Sequence, residues 1–517
     1  MDFTRPYINR TSLSEEGLFG HFFKTKAQEI EAQYRYQPSS FWRKAGEASA
    51  LNIFHLAAAR VPAYKSFLRT NKIHPEKIKT IKDFQKLPVV DKHNYLRAYP
   101  LKDLCLDGDL STARIISCSS GSTGEPFFWP RGTSQETEGA QQVELLYRIL
   151  GINKPTLIVI GFALGNWISG SFMYLSSELV SKKGYPITTI TPGFSKKEIF
   201  RSVKHRGADF EQVILMGYPP FIKDILDEGE AEGVDWKSLK VKFVFAAEGF
   251  SEVWRSYMYE KVGSKNYLSD SVNIYGSADA GILAHETPLT TAVRLLASKN
   301  EKLQQALFAE SRMPTLVQYD PRLRYFEAAA GGDLIFTANA GLPLVRYSIG
   351  DYGGLYEVDE LTKICSSFRL PVDDVLGKYG LRNSAWNLPC VYVFGRKDFT
   401  ATLYGANIYP ESIREALLDS AIKSKVTGKF TMFTKNDRYL DQFLSVNVEL
   451  QKGINPNKQL ISQVEKVIVG YLRRLNSEYS KIYDEMNHRA HPEVVLFRHN
   501  EGEYFQPGTK HRWTKTV

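Results

Sequence analysis

The chain has 517 residues, with 66 Lys and Arg against 57 Asp and Glu for a formal charge of +9. That length allows about three domains of roughly 150 residues, or one large domain with an appendage. Hydrophobic residues at 43% and charged residues at 24% exclude a mostly disordered or fibrous chain and leave a soluble, folded protein with a sizeable core.

The first residues, MDFTRPYINRTSLSEEG, carry charges of both signs and lack the apolar centre of a signal peptide. Cys105, Cys118, Cys365 and Cys390 form no CxxC pair and no disulfide framework. Both features predict a cytoplasmic protein. From Leu13 to Arg69, apolar residues recur at spacings of three and four in FWRKAGEASALNIFHLAAARVPAYKSFL, which predicts helices interrupted at Pro62. Residues 1–110 are expected to be mostly helical.

The segment ISCSSGSTGEPFFW follows, residues 116–129. Its small hydroxyl residues and glycines let backbone and side-chain donors converge on an anion with no Cβ in the way. Taken alone it reads either as a phosphate loop or as a flexible surface turn. The absence of a GK[ST] sequence excludes the P-loop of kinases and ATPases.

Pro155 to Ser177 carries no charge and matches the about 20 residues of a membrane span. Gly161, Gly165, Asn166, Ser169, Gly170 and Ser171 break it up, however, and TLIVIG reads as a short buried strand before a glycine loop. No membrane association is expected. Further strands are predicted in QVILMG, KFVFAAE, SVNIYG and DLIFTA, separated by helical segments such as PFIKDILDEGEAEG. This alternation predicts an α/β fold with substantial parallel sheet.

A change near Gly395 sets the expected boundary. A large N-terminal domain of sheets and helices is expected over 1–397, and a small, mobile α+β domain over 398–517. In the latter, KFTMFT and FLSVNVEL read as strands and KQLISQVEKVIVGYLRRLNSEY as one long amphipathic helix. Residues 391–517 hold 19 basic against 14 acidic residues, with no zinc-finger spacing and no RNA-module signature. No nucleic-acid partner is expected.

The order of segments around the glycine loop resembles the adenylate-forming enzyme superfamily and, within it, the phenylacetate-CoA ligase family. SSGSTGEP is similar to that family's SSGTTGKP. Upstream, RVPAYKSFLRTNKIHPEKIKTIKDFQKLPVVDKHNYLRAYP matches in its tyrosine, its spaced prolines and a lysine before the loop. Downstream, GYPPFIKDI, FAAEGFSE, NIYGSADAG, GGDLIFTANAGLPLVRYSIGD and FGRKDFTATLYGANIYPESIREAL follow in the family's order.

The resemblance implies a reaction in two halves. A carboxylic acid and ATP give acyl-AMP and pyrophosphate; the acyl group then passes to CoA as a thioester. ATP, Mg²⁺ and CoA are the implied cofactors. Ser119, Ser120, Gly121, Ser122, Thr123 and Gly124 would grip the phosphates, with the Thr123 hydroxyl near the metal; Glu125 stands where lysine is usual. Tyr275, flanked by Gly276 and Ser277, would stack on adenine, with Glu248 close to the cofactor. Asp279 replaces the glutamate that binds Mg²⁺. Asp351 would accept both ribose hydroxyls, Arg396 would reach ribose or phosphate, and Arg346 would either orient Asp351 or form an ordinary surface pair.

Further roles carry over from the same motifs. Asp398 would be the hinge, followed by Phe399 where a second Asp is usual. Gly405 and Asn407 would border the thiol channel. The tail lysine acting in adenylation would be Lys510, with Lys515 the other candidate. Phe162, Leu164, Trp167, Tyr218 and Phe250 fall where the family builds its acyl pocket, and an aromatic lining suits a flat or aryl acid. Three readings stand: an acid-CoA ligase, an adenylating enzyme whose acyl acceptor is an amine, hydroxyl or carrier, and a degenerate nucleotide-binding member. A homodimer is compatible with each.

Overall fold

Short apolar runs bounded by glycines form the centre of the large sheet, where burial on both faces suits unbroken β-branched and aliphatic sequence. TLIVIG and QVILMG supply the strands Thr156–Ile160 and Gln212–Gly217, buried along their whole length. KFVFAAE and SVNIYG supply Val241–Ala246 and Ser271–Ser277. With the edge strand Ile187–Ile190 these pair in parallel. The crossovers are the helices Ile168–Lys182, Lys196–Arg206, Pro219–Ala231 and Glu252–Val262, as parallel pairing requires.

The structure is a computed structural model that describes residues 14–119, 126–310, 313–396, 401–501 and 504–505. Past Ser271–Ser277 the sheet turns antiparallel through Gly281–His285, Thr315–Gln318, Cys390–Arg396, Pro343–Tyr356, Asp333–Asn339 and Tyr325–Ala328, reaching eleven strands. The expected α/β class is met, yet the parallel part covers only half the sheet. Residues 278–280 explain the change, since a short turn reverses a strand whereas a parallel return needs a crossover.

The N-terminal region is helical: Glu15–Lys24, Ala27–Tyr36, Ser39–Arg60 and Pro62–Thr70. Trp42, Ala50, Phe54 and Ala57 line the buried side of the third helix. Pro62 opens the fourth, where its missing N–H has no intrahelical partner to lose. Among the described residues no helix is long and apolar enough to cross a membrane.

The chain divides into two compact units. One comprises Met1–Cys118, Phe128–Gly217 and Glu228–Gly395; the other comprises Ser119–Phe127, Tyr218–Asp227 and Arg396–Val517. The two short inserts in the second unit depart from a reading that assigned everything before residue 398 to the large domain. In this unit Ala401–Leu403 pairs with Ala406–Ile408. Tyr404 and Gly405 turn the hairpin at φ 48° and 81°, both positive, as the preferred two-residue hairpin turn demands. A three-stranded sheet, Val426–Asn436, Gln442–Leu450 and Glu493–Phe497, completes it with helices Lys458–Leu475 and Ser477–Met486. The single long helix expected there is two helices. Asn476 breaks it, accepting a bond from the Tyr479 N–H at 3.0 Å and donating to the Asn407 carbonyl at 2.7 Å.

Candidate active site

The hairpin Ser271–Ser277 to Gly281–His285 carries Asp279 in its turn, and the carboxylate is only 3% exposed. A buried carboxylate needs partners. Tyr347, on the strand Pro343–Tyr356, donates its hydroxyl to Asp279 Oδ2 at 2.6 Å. Lys92 Nζ lies 3.5 Å from Asp279 Oδ1 and 5.8 Å from the Trp129 ring centroid. Lys92 is delivered by backbone pairing. The Val90 N–H donates to the Arg346 carbonyl at 3.0 Å and the Ser348 N–H to the Val90 carbonyl at 2.9 Å, stitching the segment LPVVDK alongside Tyr347.

Two arginines hold the same turn from either side. Arg131 donates to the Ala278 carbonyl, and Arg324 Nη2 donates to the Ala280 carbonyl at 2.9 Å. Burial pulls the Arg131 guanidinium down to about 10; Asp279 opposes that shift and Arg324 adds to it.

Tyr275 donates its hydroxyl to Asp351 Oδ2 at 2.5 Å, and Asp351 is 6% exposed. The structure therefore brings together the aromatic residue and the carboxylate that the motifs assign to adenine and ribose. Arg346 does not pair with Asp351. Its Nε donates to Glu327 Oε2 at 3.0 Å and its Nη1 to the Leu87 carbonyl, so it braces the N-terminal segment instead.

The loop after Val241–Ala246 carries Glu248 and Phe250. Ala247 has φ 73°, a left-handed conformation that is uncommon outside glycine and asparagine. Hydrogen bonds fix the loop in place: Asn273 Nδ2 donates to the Glu248 carbonyl at 3.1 Å and Arg294 Nη2 to the Phe250 carbonyl at 2.5 Å. Among the described residues Asn273 Oδ1 is buried without a hydrogen-bond partner.

Beneath Phe250 sits a closed set of four charges. Arg255 Nε meets Glu252 Oε2 at 2.8 Å, Arg255 Nη2 meets Glu286 Oε1 at 2.5 Å, and Arg294 Nε meets Glu252 Oε1 at 2.7 Å. Burial alone would raise the Glu252 carboxyl, but Arg255 and Arg294 outweigh it and hold the group at about 2. The neighbouring His285 is pushed down to about 4 by burial, against a hydrogen bond to the Glu286 carbonyl. Both guanidinium groups lie over the Phe250 ring, at 4.9 and 5.8 Å from its centroid, and Trp254 is 4.7 Å from it.

The expected acyl-pocket residues do not behave alike. Phe162 is 0% exposed and belongs to the core. Trp167 is half-buried and faces Cys118 through a β-bridge. Tyr218 falls in the small unit, where a Cβ on Gly405 would lie 2.7 Å from its ring. Glycine at 405 is thus required by that contact and by its own φ of 81°. Asn407 takes part in packing the hairpin: its N–H donates to Glu478 Oε2 at 3.3 Å. Gly276 and Ser277 end their strand half-buried, and the Ser277 hydroxyl accepts from the Ala280 N–H at 3.2 Å. Arg396 ends the strand Cys390–Arg396 and Ser119 ends Ile115–Ser119. Ser120 to Glu125, Asp398, Phe399, Lys510 and Lys515 lie outside the described residues.

Lys92, Arg131, Asn273 and Tyr347 are partners that motif reading did not single out. Asn273 could have been found as the first residue of NIYGSADAG; the others depend on distant pairing. Among the described residues no three His, Cys, Asp or Glu side chains group as a metal site.

No family model matches the chain. Among solved structures, 2-hydroxyisobutyryl-CoA ligase with 2-HIB-AMP and CoA in the thioesterification state aligns at TM-score 0.63 and 15% identity, over 94% of this chain and 91% of that one. The open conformation of the same ligase aligns at 0.55 and 14% identity, over 94% of each chain. The fold is that of the adenylate-forming CoA ligases. Across curated proteins the chain is 24% identical over 404 residues to phenylacetate-coenzyme A ligase of Aromatoleum evansii, covering 77% of this chain and 79% of that protein. It is 22% identical over 434 residues to the phenylacetate-coenzyme A ligase of Pseudomonas putida, covering 83% and 86%. The chain is similar to the phenylacetate-CoA ligases, the family that its motifs resemble.

Proposed function

We propose that the protein is an acid-CoA ligase: it joins a carboxylic acid to the α-phosphate of ATP with loss of pyrophosphate, then transfers the acyl group to the CoA sulfur with release of AMP. The observation that carries this reading is the part-buried Tyr275–Asp351 contact, in the same motif order as the turn holding Asp279. Asp351, an acceptor-only group when ionised, serves the two ribose donors. Tyr275 offers its ring to adenine, and Asn273 Oδ1 offers an acceptor to the exocyclic amine. Bringing a carboxylate against a triphosphate places anions in contact, so fixed positive charge favours the transition state; Lys92 supplies it from beside Asp279.

A single buried carboxylate beside the site fits Mg²⁺, which is commonly held by one or two carboxylates together with substrate phosphates. Asp279 would be that ligand, with the Thr123 hydroxyl; the ion supplies charge neutralisation for the phosphates when bound. Ser119 to Gly124 as the phosphate loop, Arg396 and Lys510 in catalysis, Asp398 as hinge, and Gly405 and Asn407 near the thiol complete the reading. The protein acts in the cytoplasm, in keeping with four buried free cysteines.

Transfer to an acceptor other than CoA is the second reading. It is favoured by the Tyr218 ring against Gly405, which accounts for the glycine without a passing pantetheine chain. ATP–pyrophosphate exchange with Mg²⁺ across aryl, arylacetic and aliphatic acids tests the first half-reaction, and thioester formation on adding CoA separates the two acceptors. Absence of exchange with every acid, in protein that binds ATP, would overturn both.

A further inference from the structure

Behind the Asp279 turn lies a cavity of about 10 Å³ whose lining includes Arg131, Arg324, Glu138 and Gln142, room for one water-sized guest. Both guanidinium groups are almost fully buried, Arg131 at 5% and Arg324 at 3% exposed. Among the described residues each leaves one nitrogen with no hydrogen-bond partner: Nη1 of Arg131 and Nε of Arg324. Such orphaned donors are rare in folded proteins and call for an explanation.

Charge adds a second argument. Glu138 Oε1 meets Arg324 Nη2 at 2.8 Å, which balances one guanidinium. Asp279 is met by Lys92 and Tyr347. Among the described residues Arg131 is left as the surplus cation, close enough to Arg324 for the two to repel. The amides at hand are loosely engaged: Gln142 Nε2 reaches the Ile282 carbonyl, and Gln135 Nε2 the Asn339 carbonyl, only at 3.4 Å.

We infer that this cavity is a monovalent-anion site that takes chloride or a similar halide between Arg131 Nη1 and Arg324 Nε. A single-atom anion is the charged guest nearest in size to this water-sized space, satisfies both orphaned donors and cancels the surplus charge; a phosphate or carboxylate is too large. By drawing the two guanidinium groups together, the halide fixes the carbonyls on both sides of Asp279, and so acts as a positioning group for that carboxylate. This role at Asp279 rests on the ligase reading, whereas the binding itself does not.

The test is to crystallise the protein with bromide in place of chloride and to measure anomalous scattering. A peak within hydrogen-bond distance of Arg131 Nη1 and Arg324 Nε is expected; an ordered water or empty density there overturns the inference. In solution, about 100 mM chloride should raise the melting midpoint by about 2 °C over gluconate at equal ionic strength, and equal midpoints would count against it. Arg131→Gln should abolish the shift; if that variant does not fold, the bromide measurement on the unaltered chain decides. Bromide in the cavity without acid-dependent exchange would keep the anion site and remove the ligase reading, and exchange without bromide would do the reverse.

Discussion

Two buried groups of charges sit in the large unit, and they are built on opposite plans. In the set formed by Glu252, Arg255, Glu286 and Arg294, two acids and two bases alternate, and their side chains also hold the carbonyls of Phe250 and Pro314. Around Asp279, among the described residues, the cations outnumber the carboxylates, a lysine approaches only to 3.5 Å, and donors are left over. The closed set is what structure requires of buried charge. The open one keeps capacity for something that is not protein, and that contrast locates chemistry more reliably than burial alone.

The comparison can be broken by substitution. Glu286→Ala leaves a single acid, Glu252, between two buried guanidinium groups and should cost about 3–5 kcal/mol, read as a large drop in denaturant midpoint; a midpoint close to the parent would show the set is not closed after all. Asp351→Ala should lower acid-dependent ATP–pyrophosphate exchange by about 10²–10³-fold with the melting temperature held to within a few degrees. Retained exchange would remove Asp351 from the site. Lys92→Met keeps the stem and deletes the charge. It should slow exchange by about 10–100-fold, with a smaller loss of stability than Glu286→Ala because Tyr347 still donates to Asp279.

Acid sharpens the contrast through the closed set and its neighbour. His285 is held at about 4 against an ordinary 6.5, so between those values the unfolded chain binds a proton that the folded chain does not. Stability should therefore fall as pH drops from about 6.5 towards 4. Glu252, ordinarily 4.5 and held at about 2, extends the loss from about 4.5 towards 2. Each contributes at most about 1.4 kcal/mol per pH unit. Denaturant midpoints measured from pH 7 to pH 3 should decline throughout; a flat profile above pH 4 would mean His285 is not buried as a neutral ring.

Much of the fold is legible in local sequence, because the buried strands are short apolar runs with turn residues at both ends. QVILMG coincides with Gln212–Gly217, and PFIKDILDEGEAEG lies within a residue or two of the helix Pro219–Ala231. Local pattern fails where a partner is remote. The break at Asn476 depends on the Asn407 carbonyl, and the Tyr218 ring lies against Gly405, a partner remote in sequence. At the site, the motif NIYGSADAG points to Tyr275 and Asp279, but nothing near Lys92 or Tyr347 in sequence announces that they converge on Asp279. Arg346 shows the converse error: five residues from Asp351 in sequence, it turns to Glu327.

The pairing of the LPVVDK segment with the strand beyond it has a consequence for biosynthesis. Leu87 and Arg346, joined by a hydrogen bond, are 259 residues apart. At a translation rate of about 5–20 residues per second, the first waits about 10–50 s for the second to leave the ribosome. Through that interval Val90, fully buried in the finished protein, has no strand to lie against. The nascent chain is thus exposed through that interval at the segment that delivers Lys92, where a chaperone would have apolar surface to shield.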